Sequence, residues 1–272
     1  MHSTQDAAHE LASLGEVCTR MGSPFFGELL AQAAAACDED SVLAGLIERH
    51  AHRSRLGLRL GGAAHFRALR GQNAAMAAHY PSTCGDGDAR AAWSAVLADV
   101  HANFHVYDAL LAREVQTNEV ARAMPVLAAM LALAADRRVP LRIFEVGSSA
   151  GLVLNFDRYF YAGNGWTWGD PASLLRLSNT MASGLPLHLD APLDVIERRG
   201  CDLHPLDPAN AEDADTLLCF IWPDQRERFA RLRAAIEIAR NHPVEIAKRD
   251  GIAGRLRQRA RFRTPSRCCC TR

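Results

Sequence analysis

The sequence predicts an α/β protein, a helical N-terminal region followed by a parallel-sheet region. Three observations predict it. Before residue 137 the apolar residues recur at steps of three and four, the period of amphipathic helices. At Val139-Pro140 the character changes to short apolar runs. The first of these, Leu141–Val146, runs straight into a glycine turn and a further apolar run. Strand, glycine turn and helix form the opening unit of doubly wound α/β domains.

The elements follow in order. Leu29, Leu30, Ala33 and Ala34 have helical spacing, as do Leu43, Leu46 and Ile47. Trp93, Val96, Leu97, Val100, Phe104, Tyr107 and Leu111 form one long stripe and predict one long helix. Gly61-Gly62 and the loop from Tyr80 to Gly87 read as breaks. Thr117 is the expected N-cap of a helix through Ala135, with Pro125 an expected kink inside it. Leu152-Val153-Leu154-Asn155-Phe156 reads as a helix start. Residues 160–194, with Gly163, Gly165, Gly169, Pro171, Gly184 and Pro186, read as an insertion. Val195–Asp202 reads as a second strand ending in an acid, and Val244–Ala247 as a third. Asp224-Gln225-Arg226-Glu227 resembles a capping box for a helix through Arg240, striped by Phe229, Leu232, Ala235, Ile236 and Ala239. The expected organisation is a helical region over 1–137, a Rossmann-like α/β region over 138–250 and an arginine-rich tail over 251–272.

Composition narrows the function classes. The 272 residues are 49% hydrophobic and 23% charged, an ordinary globular balance rather than a disordered one. The 31 basic and 31 acidic residues cancel, which argues against a globally basic nucleic-acid binder. The balance is uneven, because residues 251–272 hold seven arginines and no acid. That tail reads as a solvated, disordered or frame-shifted end. The Met1 end lacks the basic and apolar regions of a signal peptide. The longest uncharged apolar stretch, Ala123–Ala135, is too short for a bilayer. Of the eight cysteines three sit together at 268–270, and no CxxC pair occurs, so neither a disulfide framework nor a zinc site is expected. A reducing, cytoplasmic compartment and a small-molecule ligand, with no membrane and no nucleic acid, are the resulting expectations.

The turn Glu145-x-Gly147-x-Ser149-x-Gly151 carries the most chemistry. Gly147 lets the backbone turn at the strand end, and Gly151 lets the next segment approach closely. Backbone N–H groups then face a ligand. An acid followed by such a turn resembles the first motif of S-adenosylmethionine-dependent methyltransferases, with Ser149 in place of the usual middle glycine. The acid position of that family lies near the amino-acid end of the cofactor. Gly200-Cys201-Asp202-Leu203-His204-Pro205 looks like its second motif, with Asp202 toward the ribose, although the gap from Gly151 is long. Asp250 falls where such folds place an acid toward the adenine. The expected cofactor contacts are therefore Glu145, Gly147, Ser149, Gly151, Asp202 and Asp250. The same five residues, Gly147 to Gly151, also spell G-x-S-x-G, the nucleophile elbow of a serine hydrolase. Ser149 would then be the nucleophile, with Asp202 or Asp224 and His242 as partners. A third alternative is a turn in a non-catalytic or degenerate module.

Several segments together resemble a known family. They are His79-Tyr80-Pro81-Ser82, Arg113–Arg122 (REVQTNEVAR), Glu145–Leu152 (EVGSSAGL), Asp157-Arg158-Tyr159 and Ile221–Arg228 (IWPDQRER). In this order they resemble the bacterial domain-of-unknown-function 2332 family over most of residues 20–250. That resemblance implies a Rossmann-like half and no defined activity. It also implies further strands beyond Asp250, whereas Arg249-Asp250-Gly251 and the arginine tail depart from the pattern, so the chain reads as truncated or frame-shifted there.

The remaining polar candidates are substrate contacts. Asn118, Glu119 and Arg122 form a dense polar group, with Asn118 and Arg122 four apart on one helical face. Asp157 and Arg158 follow the glycine turn. Each could equally cap a helix or form a structural ion pair. His101 and His105, also four apart, have metal-chelating spacing, but no H-E-x-x-H pattern accompanies them and no metal is expected.

Overall fold

The computed structural model describes residues 4–116, 118–137, 139–178 and 188–250. The expectations on Thr117, on the stretch 179–187 with Gly184 and Pro186, and on the 251–272 tail lie outside the described residues. The described residues form two compact units, the first within 4–119 and 209–234, the second within 120–208 and 235–250.

The first unit is helical. Its elements are α1 (Thr4–Arg20), α2 (Pro24–Ala36), α3 (Ser41–His50), α4 (Leu56–Leu69), α5 (Ala74–Ala77), α6 (Ala89–Ala102) and α7 (Phe104–Leu111). Two more helices return from later in the chain, as given below. Short polar side chains start these helices. The Asp40 carboxylate accepts from the Val42 and Leu43 amides, and Asp88 accepts from those of Arg90 and Ala91. The expected apolar stripes are buried: Leu29, Leu30, Leu43, Leu46, Ile47, Val96, Val100, Tyr107 and Leu111 share one core.

Two expected boundaries are corrected here. Gly61-Gly62 is no break, because α4 runs through it. A Cβ at Gly61 would lie 2.3 Å from the Phe26 ring and one at Gly62 would lie 2.8 Å from the Phe220 ring. These glycines serve close packing, which local punctuation cannot distinguish from a turn. The stripe from Trp93 to Leu111 is two helices, interrupted at Asn103 with φ −131° and ψ 37°. Asn103 Nδ2 donates to Asp99 Oδ1 at 2.8 Å, so a buried carboxylate holds the residue at the break.

The second unit is mixed α/β. It opens with one 3₁₀ turn, Val120–Arg122, and α8 (Ala123–Arg137). Pro125 sits in the first turn of α8, where its missing N–H costs nothing, so the expected kink does not arise. Then come β1 (Leu141–Val146), a 3₁₀ segment Val153–Arg158, β2 (Phe160–Gly163), β3 (Trp166–Trp168), β4 (Arg176–Ser178) and β5 (Val195–Asp202). After α9 (Ala211–Cys219), α10 (Arg226–Asn241) leads to β6 (Glu245–Lys248).

The helix expected after the glycine turn is only that 3₁₀ segment, interrupted at Asn155 with φ −94° and ψ 19°. Tyr159 OH and Tyr161 OH donate to the carbonyls of Leu152 and Phe156 and fix the segment by side chains instead. Two sheets result. One is parallel throughout, in the order β1-β5-β6. The other, in the order β3-β2-β4, is mixed and occupies the expected insertion.

The capping box at Asp224 is also corrected. The Asp224 carboxylate accepts from Ser23 Oγ and from the Phe25 amide at 2.9 Å, so it caps α2 rather than its own helix. No helix among the described residues is long and apolar enough to cross a membrane.

Candidate functional site

The carboxyl ends of β1, β5 and β6 lie side by side. Val146 pairs with Cys201, and Asp202 pairs with Lys248. Open parallel sheets bind ligands beyond this edge. All six residues expected to contact a cofactor converge there. Glu145 is the penultimate residue of β1, Gly147, Ser149 and Gly151 form the turn after it, Asp202 ends β5, and Asp250 follows β6 by two residues.

The turn is fastened to β5. The Gly147 and Ser148 amides both donate to the Cys201 carbonyl, at 2.8 and 3.2 Å. Asp202 Oδ2 accepts from the Ser149 amide at 2.8 Å, and Oδ1 accepts from the His204 amide at 2.9 Å. Gly147, Ser149 and Gly151 have φ of +71°, +51° and +68°. Left-handed backbone costs a residue with a Cβ about 1–2 kcal/mol, and Ser149 bears that cost where glycine would not. Gly200 lets the turn close on β5, since a Cβ there would stand 2.3 Å from Ser148 Oγ. At Gly147 a Cβ would meet nothing within 4 Å, so open space lies beside the turn.

Glu145 is the electrostatically unusual group. Its Oε2 is buried with no hydrogen-bond partner among the described residues. Burial pushes its carboxyl from 4.5 up to about 7; Arg122 nearby pulls it down and Asp202 pushes it further up. A carboxyl raised in the folded state binds protons that the unfolded chain releases. Its stabilising protonation is complete below about 4.5 and is lost as pH rises to about 7. Glu145→Gln is therefore expected to flatten the decline in stability between pH 5 and pH 8. Urea unfolding at both values checks it, and a decline equal to that of the parent would contradict the assignment.

The expected substrate residues divide. Arg122 stands in the electrostatic neighbourhood of Glu145. Asp157 forms a bidentate pair with Arg198 of β5, both oxygens at 2.9 Å, and Arg198 also reaches Asn155 Oδ1 at 3.3 Å. That pair locks the 3₁₀ segment to the sheet. Arg158 is exposed and lies near His242, whose ring burial, Arg158 and Arg198 hold below the ordinary histidine value. Asn118 and Glu119 belong to the first unit. Glu119 lies 2.8 Å from Arg228 Nε, and Asn118 Nδ2 is buried without a hydrogen-bond partner among the described residues.

Of the acids offered to a Ser149 triad, Asp202 accepts from the Ser149 and His204 amides and Asp224 from Ser23 and Phe25 at the start of α2. His101 and His105 lie on either side of the Asn103 break, and His101 Nε2 bonds Asp40 Oδ2 at 2.6 Å. Among the described residues no group of three His, Cys, Asp or Glu is placed to hold a metal ion. Sequence reasoning missed Arg198. Its only signal was a charged run, Glu197-Arg198-Arg199, inside a strand that opens with Val195-Ile196.

A family model described as "Uncharacterized protein conserved in bacteria (DUF2332)" matches residues 8–265. The match is wider than the span carried by the motifs and enters the arginine-rich segment. No curated protein and no solved structure matches the chain.

Proposed function

The chain belongs to the DUF2332 family, and from that premise we propose that its second unit is a Rossmann-like module that binds S-adenosylmethionine as a methyltransferase-like protein. One observation carries the reading. An acid, a left-handed glycine turn and a second acid stand at the ends of adjacent parallel strands, with open space at Gly147. The residues fit the group. Glu145 Oε2 is a buried acceptor without a partner, and Asp202 keeps lone pairs beyond its two amide bonds. Gly147 would admit the cofactor's backbone-facing side, Gly151 lets Ile246 of β6 pack against the turn, and Asp202 and Asp250 would face the nucleoside. When bound, the cofactor supplies an electrophilic methyl group on a sulfonium. This chain's own part is positioning: the Asp157–Arg198 pair holds the segment after the turn, and Arg122 and Arg158 present cations at its margins.

Ultraviolet cross-linking with methyl-labelled S-adenosylmethionine tests this reading. Label is expected in peptides covering residues 141–158 or 195–204. Label confined to peptides of residues 4–116 would contradict it.

A second reading, a serine hydrolase at Ser149, is favoured by its φ of +51° within G-x-S-x-G. A fluorophosphonate reagent labelling Ser149 would support that reading over the first.

A further inference from the structure

We propose that the first unit contains a second reactive centre, in which Ser82 is a nucleophile activated by His65 and directed at small carboxylic esters. Ser82 Oγ lies 2.7 Å from His65 Nε2, and His65 Nδ1 lies 3.0 Å from the Cys219 carbonyl oxygen. A carbonyl can only accept, so Nδ1 carries the ring proton. Nε2 then presents its lone pair to the Ser82 hydroxyl. Nucleophile, base and a third group that orients the base form the arrangement by which serine is activated. The ring itself is held in place, stacked on Tyr80 at 5.6 Å and set against Phe229 at 6.0 Å. Burial pushes His65 down to about 4, so the imidazole is neutral at physiological pH and its Nε2 lone pair faces the Ser82 hydroxyl, although the same burial lowers its basicity.

Ser82 is half-buried, and its neighbour Pro81 lines an open cleft of about 480 Å³ together with Pro24, Phe25, Gly87, Asp224 and Arg226. That volume suits a small ligand. Pro81-Ser82 and Asp224-Gln225-Arg226 both belong to segments that carried the family resemblance and that the sheet-edge site leaves unused.

In the acyl step Ser82 Oγ bonds the ester carbonyl carbon and its proton passes to His65 Nε2. The bond from that carbon to the leaving alkoxide breaks as Nε2 returns the proton to it. Water repeats the sequence and frees the acid. No oxidant, reductant or metal enters the balance.

A fluorophosphonate reagent, which forms an Oγ–P bond with loss of fluoride, tests the proposal on the full chain with peptide mapping. Label is expected at Ser82 and absent in Ser82→Ala. Circular dichroism of Ser82→Ala should match that of the parent, and its urea midpoint should fall only by the loss of one hydrogen bond to the buried His65. His65→Gln should slow labelling about 100-fold or more, the usual weight of a general base. Because that variant alters a fully buried residue, the parent's pH profile supplies an independent reading. The labelling rate should hold between pH 9 and pH 6 and fall toward pH 4, as His65 gains its proton. A hydrogen bond that merely ties the loop to α4 gives no label. Folded protein without label at Ser82, or label only at Ser149 or another serine, would overturn the proposal. Folded protein without label leaves the sheet-edge reading untouched, whereas label at Ser149 would favour the hydrolase reading of that turn.

Discussion

Gly147→Val is expected to weaken binding of S-adenosylhomocysteine by about 100-fold or more, equivalent to about 2.7 kcal/mol. Two effects add. Gly147 stands at φ +71°, where a β-branched residue is strained by about 1–2 kcal/mol. The new side chain also projects into the open space beside the turn, the space that the proposed ligand would occupy. Nothing within 4 Å of the Cβ position has to move, so the backbone strain is the folding cost and the blocked space is the loss of affinity. Calorimetry gives the affinity, and a thermal melt separates it from unfolding. Unchanged affinity in a folded variant would remove the turn from the ligand site.

Asp99→Ala is expected to cost about 3–5 kcal/mol of stability, because it strands a buried guanidinium. Arg67 is 6% exposed and Asp99 is 5% exposed. The Asp99 carboxylate accepts from Arg67 Nε, from Arg67 Nη2 at 2.9 Å, from Tyr107 OH at 3.0 Å and from Asn103 Nδ2 at 2.8 Å. Removing it leaves Arg67 Nε and Nη2 and Asn103 Nδ2 without this acceptor and Tyr107 OH with only Met76 Sδ, and the α6–α7 break loses its anchor. Burial alone would raise the Asp99 carboxyl; its hydrogen bonds to Arg67, Asn73 and Tyr107 and the Arg67 charge hold it below the ordinary value. A depressed carboxyl contributes stability that is present above its unfolded pKa and is lost as pH falls through its folded one. The parent's deficit in acid should therefore shrink in Asp99→Ala. Replacing both partners, as Arg67→Met with Asp99→Leu, should recover most of the loss, since no charge remains buried. Urea midpoints of the single and double variants decide it. A double variant as unstable as the single one would show that packing, not charge, is at stake.

Local signals account for what was legible beforehand. The strands 141–146 and 195–202 were readable to the residue, because each is a short run bounded by Pro, Gly or Asp. The third strand was off by one, and the convergence of Glu145, Gly147, Asp202 and Asp250 follows from placing acids and glycines at strand ends. What stayed hidden depends on partners distant in sequence. Asp224 looks like the cap of its own helix, and its acceptance from Ser23 and Phe25, about two hundred residues away, leaves no local trace. Gly61-Gly62 looks like a break because the Phe26 and Phe220 rings that demand glycine are distant in the chain. The strands Phe160–Gly163, Trp166–Trp168 and Arg176–Ser178 are too short to show alternation. The pairs Asp157–Arg198 and His65–Ser82 join residues 41 and 17 apart, and neither has a motif of its own.

The central claim is that the carboxyl edge of the β1-β5-β6 sheet holds S-adenosylmethionine. Calorimetric titration of the folded full chain with S-adenosylhomocysteine tests it most directly. The account predicts saturable binding with one site per chain, lost in Gly147→Val. Absence of binding heat and of any thermal stabilisation, in a chain whose melt shows it folded, would contradict the claim.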